Sequence, residues 1–95
     1  MSDTKLANIE LDARRKRILF RSWHRGMREA DLILGQFADK HIAELSESDL
    51  QDYENLLEVL DRDLLKWILG EEPTPESFDT PVFRHILAFR RTMSF

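Results

Sequence analysis

Side chains able to do chemistry are sparse in this chain. Its three histidines, His24, His41 and His85, are scattered, cysteine is absent, and no phosphate-binding glycine loop or serine nucleophile motif occurs. One pair has metal-ligand character: in "HIAE", His41 and Glu44 stand three apart, so a helix places both on one face. Two ligands are too few without partners from elsewhere. The competing reading makes His41 a boundary residue on an apolar stripe, so no catalytic, metal or cofactor-binding residue is assigned.

The basic run "RRKRILFR" has the charge for phosphate contact, and Phe20 or Trp23 could stack on a base, which defines a nucleic-acid-binding helical module as the alternative function. Most such runs are solvated helix faces. Residues 1–30 carry eight Lys/Arg against four Asp/Glu, residues 31–79 three against fourteen, and residues 80–95 three against none. Basic ends around an acidic middle can attract one another in the fold or present opposite patches to a partner.

The segment "HRGMREAD", residues 24–31, supports two readings. As punctuation, Gly26 allows the backbone angles of a helix junction, while Arg21, His24 and Arg25 suit the negative end of one helix dipole and Glu29 the positive end of the next. As a docking motif, a second helix extended back through Arg25 would group Arg25, Glu29, Leu32 and Gln36 opposite the apolar stripe, turning Arg25 and Glu29 outward. Arg before Glu at a spacing of four is the weaker order for an intrahelical pair, so mutual stabilisation explains them poorly.

These residues must be positioned by helices. At 95 residues, with 42% hydrophobic and 34% charged content, the chain is one small helical domain, and the predicted fold is all-α, a single five-helix bundle over residues 10–92 between a flexible segment 1–9 and a tail 93–95. The first helix spans about Glu10 to His24, burying Leu11, Ile18, Leu19 and Trp23. A second spans Met27 to Ala43, with Met27, Ala30, Leu34, Phe37, Ala38 and His41 as its stripe. Ser46 caps a third, Glu47 to Leu60, which buries Leu50, Tyr53, Leu56, Leu57 and Leu60. Asp61 caps a fourth, "RDLLKWIL", stopped by Gly70, and Thr80 with Pro81 opens a fifth that buries Val82, Phe83, Ile86 and Leu87. The stretch "EEPTPESFDT" is an ordered or semi-ordered loop. No apolar run reaches the ~20 residues of a membrane span and no secretory signal is present, so a soluble intracellular protein is expected.

Arg25-Gly26-x-x-Glu29, followed by Asp31 and Phe37 and then by "YENLLEVLDRDLLKWILG" with Asp61, Asp63, Leu65, Trp67 and Gly70, resembles the succinate dehydrogenase assembly factor 2 family, the flavinylation factors, from about Arg17 to Ile86. Many members carry arginine where this chain has His24. The resemblance implies a monomeric assembly chaperone, not an enzyme. It would bind the flavoprotein subunit of succinate dehydrogenase, or of the related fumarate reductase, in the cytoplasm or the mitochondrial matrix. It would promote covalent attachment of FAD to a histidine of that partner, holding no cofactor stably itself. Arg25, Gly26 and Glu29 inherit the partner contact. Gly26 would allow close approach, Arg25 would offer a multidonor contact, and Glu29 would accept hydrogen bonds. Arg17 and Arg21 join them as candidate partner contacts, and Arg17, Arg21 or Arg25 would stabilise negative charge developing on the flavin.

Overall fold

A computed structural model of the chain describes residues 11–93. Among the described residues five α-helices follow in order: α1 Ala13–Trp23, α2 Arg28–His41, α3 Glu47–Leu57, α4 Asp61–Ile68 and α5 Pro81–Arg91. Short 3-10 turns at Ile42–Glu44 and Glu76–Phe78 complete it, with no strand among the described residues. The segment 1–9 and the predicted start at Glu10 lie outside the described residues, as do Ser94 and Phe95 of the tail.

Local chemistry sets most of the boundaries. Asp12 accepts from the Arg15 amide and opens α1, Ser46 accepts from the Asp49 amide and opens α3, and Thr80 accepts from Phe83 ahead of Pro81 in α5. Gly70, at φ +78°, ends α4, and beside it the Glu71 amide donates to the Lys66 carbonyl at 2.8 Å. One core unites all five helices. Ile18, Leu34, Phe37, Leu50, Tyr53, Leu64, Phe83 and Ile86 are all sealed within it. The loop before α5 is ordered by its 3-10 turn, whose Phe78 lies against Trp67 at 5.3 Å between ring centroids.

Four expectations need correction. Helix α3 ends at Leu57, not Leu60, and Leu60 is 62% exposed instead of buried. Leu60, not Asp61, occupies the N-cap of α4, because Asp61 already has helical geometry and its carboxylate is engaged elsewhere. Met27 leaves the predicted stripe for the N-cap of α2 and is 38% exposed, while Ile33, outside that stripe, is fully buried. Arg25 points inward, not outward, because the bend at Gly26 takes it off the axis of α2 and toward Asp61 and the Val59 carbonyl.

Two packing devices escaped the periodicity. The Ser22 hydroxyl, fully buried, lies 2.8 Å from Tyr53 Oη and donates to it when the Tyr53 hydroxyl donates to the Leu34 carbonyl at 3.2 Å, so one polar chain ties α1, α3 and α2. Burial pushes the Tyr53 hydroxyl far above its ordinary pKa of 10.0. Gly35, in mid-helix, lies flat against the Trp23 indole, and any Cβ there would overlap the ring. This glycine sets how closely α1 and α2 approach, while Trp23 Nε1 donates to Asp39 at 3.2 Å.

Candidate docking site

Helix α1 ends at Trp23 with His24 as its C-cap, and two residues further on Gly26 takes φ +105°, a left-handed geometry that L side chains rarely adopt. The chain bends through Arg25–Met27 before α2 begins at Arg28. That bend invalidates the projection of Arg25 onto the outer face of α2. The guanidinium swings inward instead: Nε donates to Asp61 Oδ1 at 2.7 Å, Nη2 to the Val59 carbonyl at 2.6 Å, and Nη1 to the Leu57 carbonyl. Only 9% of the Arg25 side chain and 12% of the Asp61 side chain remain exposed.

The physical reason lies in the α3–α4 junction. A helix end leaves carbonyls without amide partners, and the carbonyls of Leu57 and Val59 would be among them. A planar cation with five donors satisfies both and a carboxylate at once, which an ammonium could not do in this geometry. Asp31 completes the arrangement by accepting from the Arg25 amide at 2.6 Å. Arg25 is thus a brace between two loops.

Arg15 performs the same service one junction earlier, donating to the carbonyls of Ile42 and Leu45 at 3.0 and 2.6 Å. Arg14 reaches Glu47 and Glu54, and Arg21 pairs with Glu58 at 2.6 Å. The Arg14 guanidinium, by hydrogen bonding, holds the Glu54 carboxyl below its ordinary pKa. Much of the basic run that suggested phosphate binding is therefore spent on the acidic α3 and on exposed helix ends. Arg17 stays exposed beside Glu54, and the surface pair of Arg21 is weak enough to exchange for another partner.

The other half of the motif does face solvent. Gly26 is exposed, with no atom within 4 Å of where a Cβ would stand, and Glu29 is exposed in the first turn of α2. Both readings of "HRGMREAD" have a physical counterpart here: the glycine is punctuation by its angles, and it presents bare backbone by its position. His24 stacks on Phe20, ring centroids 3.9 Å apart, and its Nδ1 lies 2.7 Å from the Phe20 carbonyl.

His41 stands where the boundary reading placed it. Its ring packs against Phe37, Phe89 and His85, with Nδ1 shielded from solvent and 3.9 Å from Glu44. Burial, and after it the nearby His85, lowers its pKa. No group of three or more His, Cys, Asp or Glu among the described residues could hold a metal ion.

Fold and site together make a small helical module with an exposed glycine and glutamate on a junction that Arg25 braces from within. Its sequence matches the model of the family described as flavinator of succinate dehydrogenase over residues 16–90, and the chain belongs to that family. It is 45% identical over 75 residues to a mitochondrial succinate dehydrogenase assembly factor 2 of Dictyostelium discoideum, covering 79% of this chain and 53% of the relative. It is 37% identical over 86 residues to the FAD assembly factor SdhE of Acetobacter pasteurianus, covering 90% and 79%. The chain thus spans about half the length of the Dictyostelium relative and most of the bacterial one. The nucleic-acid alternative finds no support in these matches.

Proposed function

We propose that this chain is an assembly chaperone for the flavoprotein subunit of succinate dehydrogenase, with the fumarate reductase flavoprotein as a second client. It promotes covalent attachment of FAD to a histidine of the partner, which carries out the flavin chemistry itself. The relatives named above, one bacterial and one mitochondrial, support action in the cytoplasm of a bacterium or the matrix of a mitochondrion. No helix among the described residues is long and apolar enough to cross a membrane.

The observation that carries this reading is the outward pairing of Gly26 and Glu29 on a junction clamped by Arg25. Rigid presentation matters because ordering a loop on binding costs affinity. In this account Gly26 lets the partner surface approach the backbone and Glu29 accepts hydrogen bonds from it. Arg25 acts as a positioning residue, its guanidinium donors engaged within the chain by Asp61, Leu57 and Val59. Arg17 and Arg21 serve as auxiliary contacts along α1. By binding one arrangement of the flavoprotein more tightly, the chain raises the population of the state that attaches its flavin.

The test uses Glu29→Ala, since Gly26→Ala or Gly26→Arg would also strain the backbone. Cells lacking the native factor are complemented with either form, and the flavoprotein is captured and examined for in-gel flavin fluorescence. Glu29→Ala is expected to reduce co-purification and covalent flavin while leaving the circular dichroism spectrum unchanged. Wild-type flavin levels with this variant contradict the docking role.

A further inference from the structure

An open cleft of about 440 Å³ lies between the α1–α2 and α3–α4 junctions, walled by Arg25, Gly26, Met27, Leu60, Asp61 and Arg62. Two of its residues break the local rules that the rest of the chain obeys. Asp12, Ser46 and Thr80 cap α1, α3 and α5 with side-chain oxygens, whereas the N-caps of α2 and α4 are Met27 and Leu60, which make no capping bond. Neither lies in the core: Leu60 is 62% exposed and Met27, partly covered, 38%. A residue that neither caps nor packs contributes little to folding, and such local conflicts concentrate at functional sites.

The charges in the cleft are unequal in availability. Arg25 and Asp61 neutralise each other in its wall, with the guanidinium donors spent on Asp61, Leu57 and Val59. Arg62 is exposed and has no ion pair among the described residues. The available recognition chemistry is therefore apolar surface from Met27 and Leu60 beside Arg62, which has no ion pair among the described residues.

We propose that this cleft receives an apolar side chain of the flavoprotein partner, with an adjacent carboxylate of that partner pairing to Arg62. The inference rests on the docking function above and extends the contact to the start of α4, outside the Arg25-Gly26-x-x-Glu29 motif. The cleft is continuous with the exposed Gly26, so one partner surface covers both. Leu60 supplies the apolar contact area and Arg62 sets orientation and the salt dependence of binding.

The experiment titrates the full chain against purified succinate dehydrogenase flavoprotein without covalent FAD, at low and high salt. Leu60→Ser is expected to weaken binding by about tenfold, as for loss of an apolar anchor. Arg62→Glu should weaken it at least as much and flatten its salt dependence, with Arg62→Lys retaining part of the affinity. Because Leu60 is an exposed N-cap, Leu60→Ser keeps the fold, which thermal unfolding verifies. If Leu60→Ser and Arg62→Glu bind like the wild type while Glu29→Ala does not, the cleft proposal falls and the docking function stands. A wild-type chain that fails to bind the flavoprotein overturns both. Self-association abolished by Leu60→Ser, with flavoprotein binding intact, assigns the cleft to a second copy and overturns the proposal.

Discussion

Replacing Arg25 with alanine separates an internal brace from a contact residue. The substitution leaves the Asp61 carboxylate, 12% exposed, without its cation and removes the side-chain donors from the carbonyls of Leu57 and Val59. Breaking a buried pair by deleting one partner costs about 3 to 5 kcal/mol. Water reaching the partly open cleft will screen some of this, so about 3 kcal/mol is the expected loss. Against the roughly 5 to 15 kcal/mol that holds a domain of this kind together, that is a substantial fraction. With about 4 to 8 °C per kcal/mol for a chain of this size, the unfolding midpoint should fall by roughly 12 to 24 °C. Urea denaturation followed by circular dichroism measures the free energy directly, with Asp61→Leu and the double variant closing a thermodynamic cycle. The double variant should be more stable than the sum of the single losses implies, because neither charge is then left buried alone. A loss below about 1 kcal/mol for Arg25→Ala, together with abolished flavoprotein binding, would refute the brace and return Arg25 to the interface.

Three further outcomes follow from the same geometry. Leu60→Ser places a capping hydroxyl at the start of α4 and should raise stability by about 1 kcal/mol in urea titration while weakening docking, a separation that no purely structural role for Leu60 produces. Gly35→Ala forces the Trp23 indole away from α2 and should cost about 1 to 3 kcal/mol, visible in the unfolding midpoint and as a change in tryptophan fluorescence. His41 has a folded pKa below its ordinary 6.5, so the unfolded chain takes up a proton first as pH falls. The stability contribution is then present above 6.5 and is lost as pH drops through the lower folded value. Chemical denaturation at stepped pH should show this slope in the wild type and a shallower one in His41→Phe.

The elements were legible in sequence because they arise within a turn or two of chain. Ser46, Thr80 with Pro81, and Gly70 act on neighbours three to five residues away, and the three- and four-residue spacing of Leu50, Tyr53, Leu56 and Leu57 states which side is buried. Gly26 and Glu29 could likewise be singled out by type and spacing. Leu60 and Met27 were misread because an apolar residue in phase with a stripe looks like core even when the helix has ended or not yet begun.

Sequence alone determined the five helices of the described residues and the breaks at Gly26 and Gly70, since propensity, capping and glycine angles are local properties. Only the tertiary structure decided where Arg25 goes, because its partners Leu57, Val59 and Asp61 lie 32, 34 and 36 residues along the chain. Helical periodicity projects side chains around one axis. The turn at Gly26 starts a new axis, and only the packing of α1 and α2 against the α3–α4 junction determines which carbonyls that cation meets.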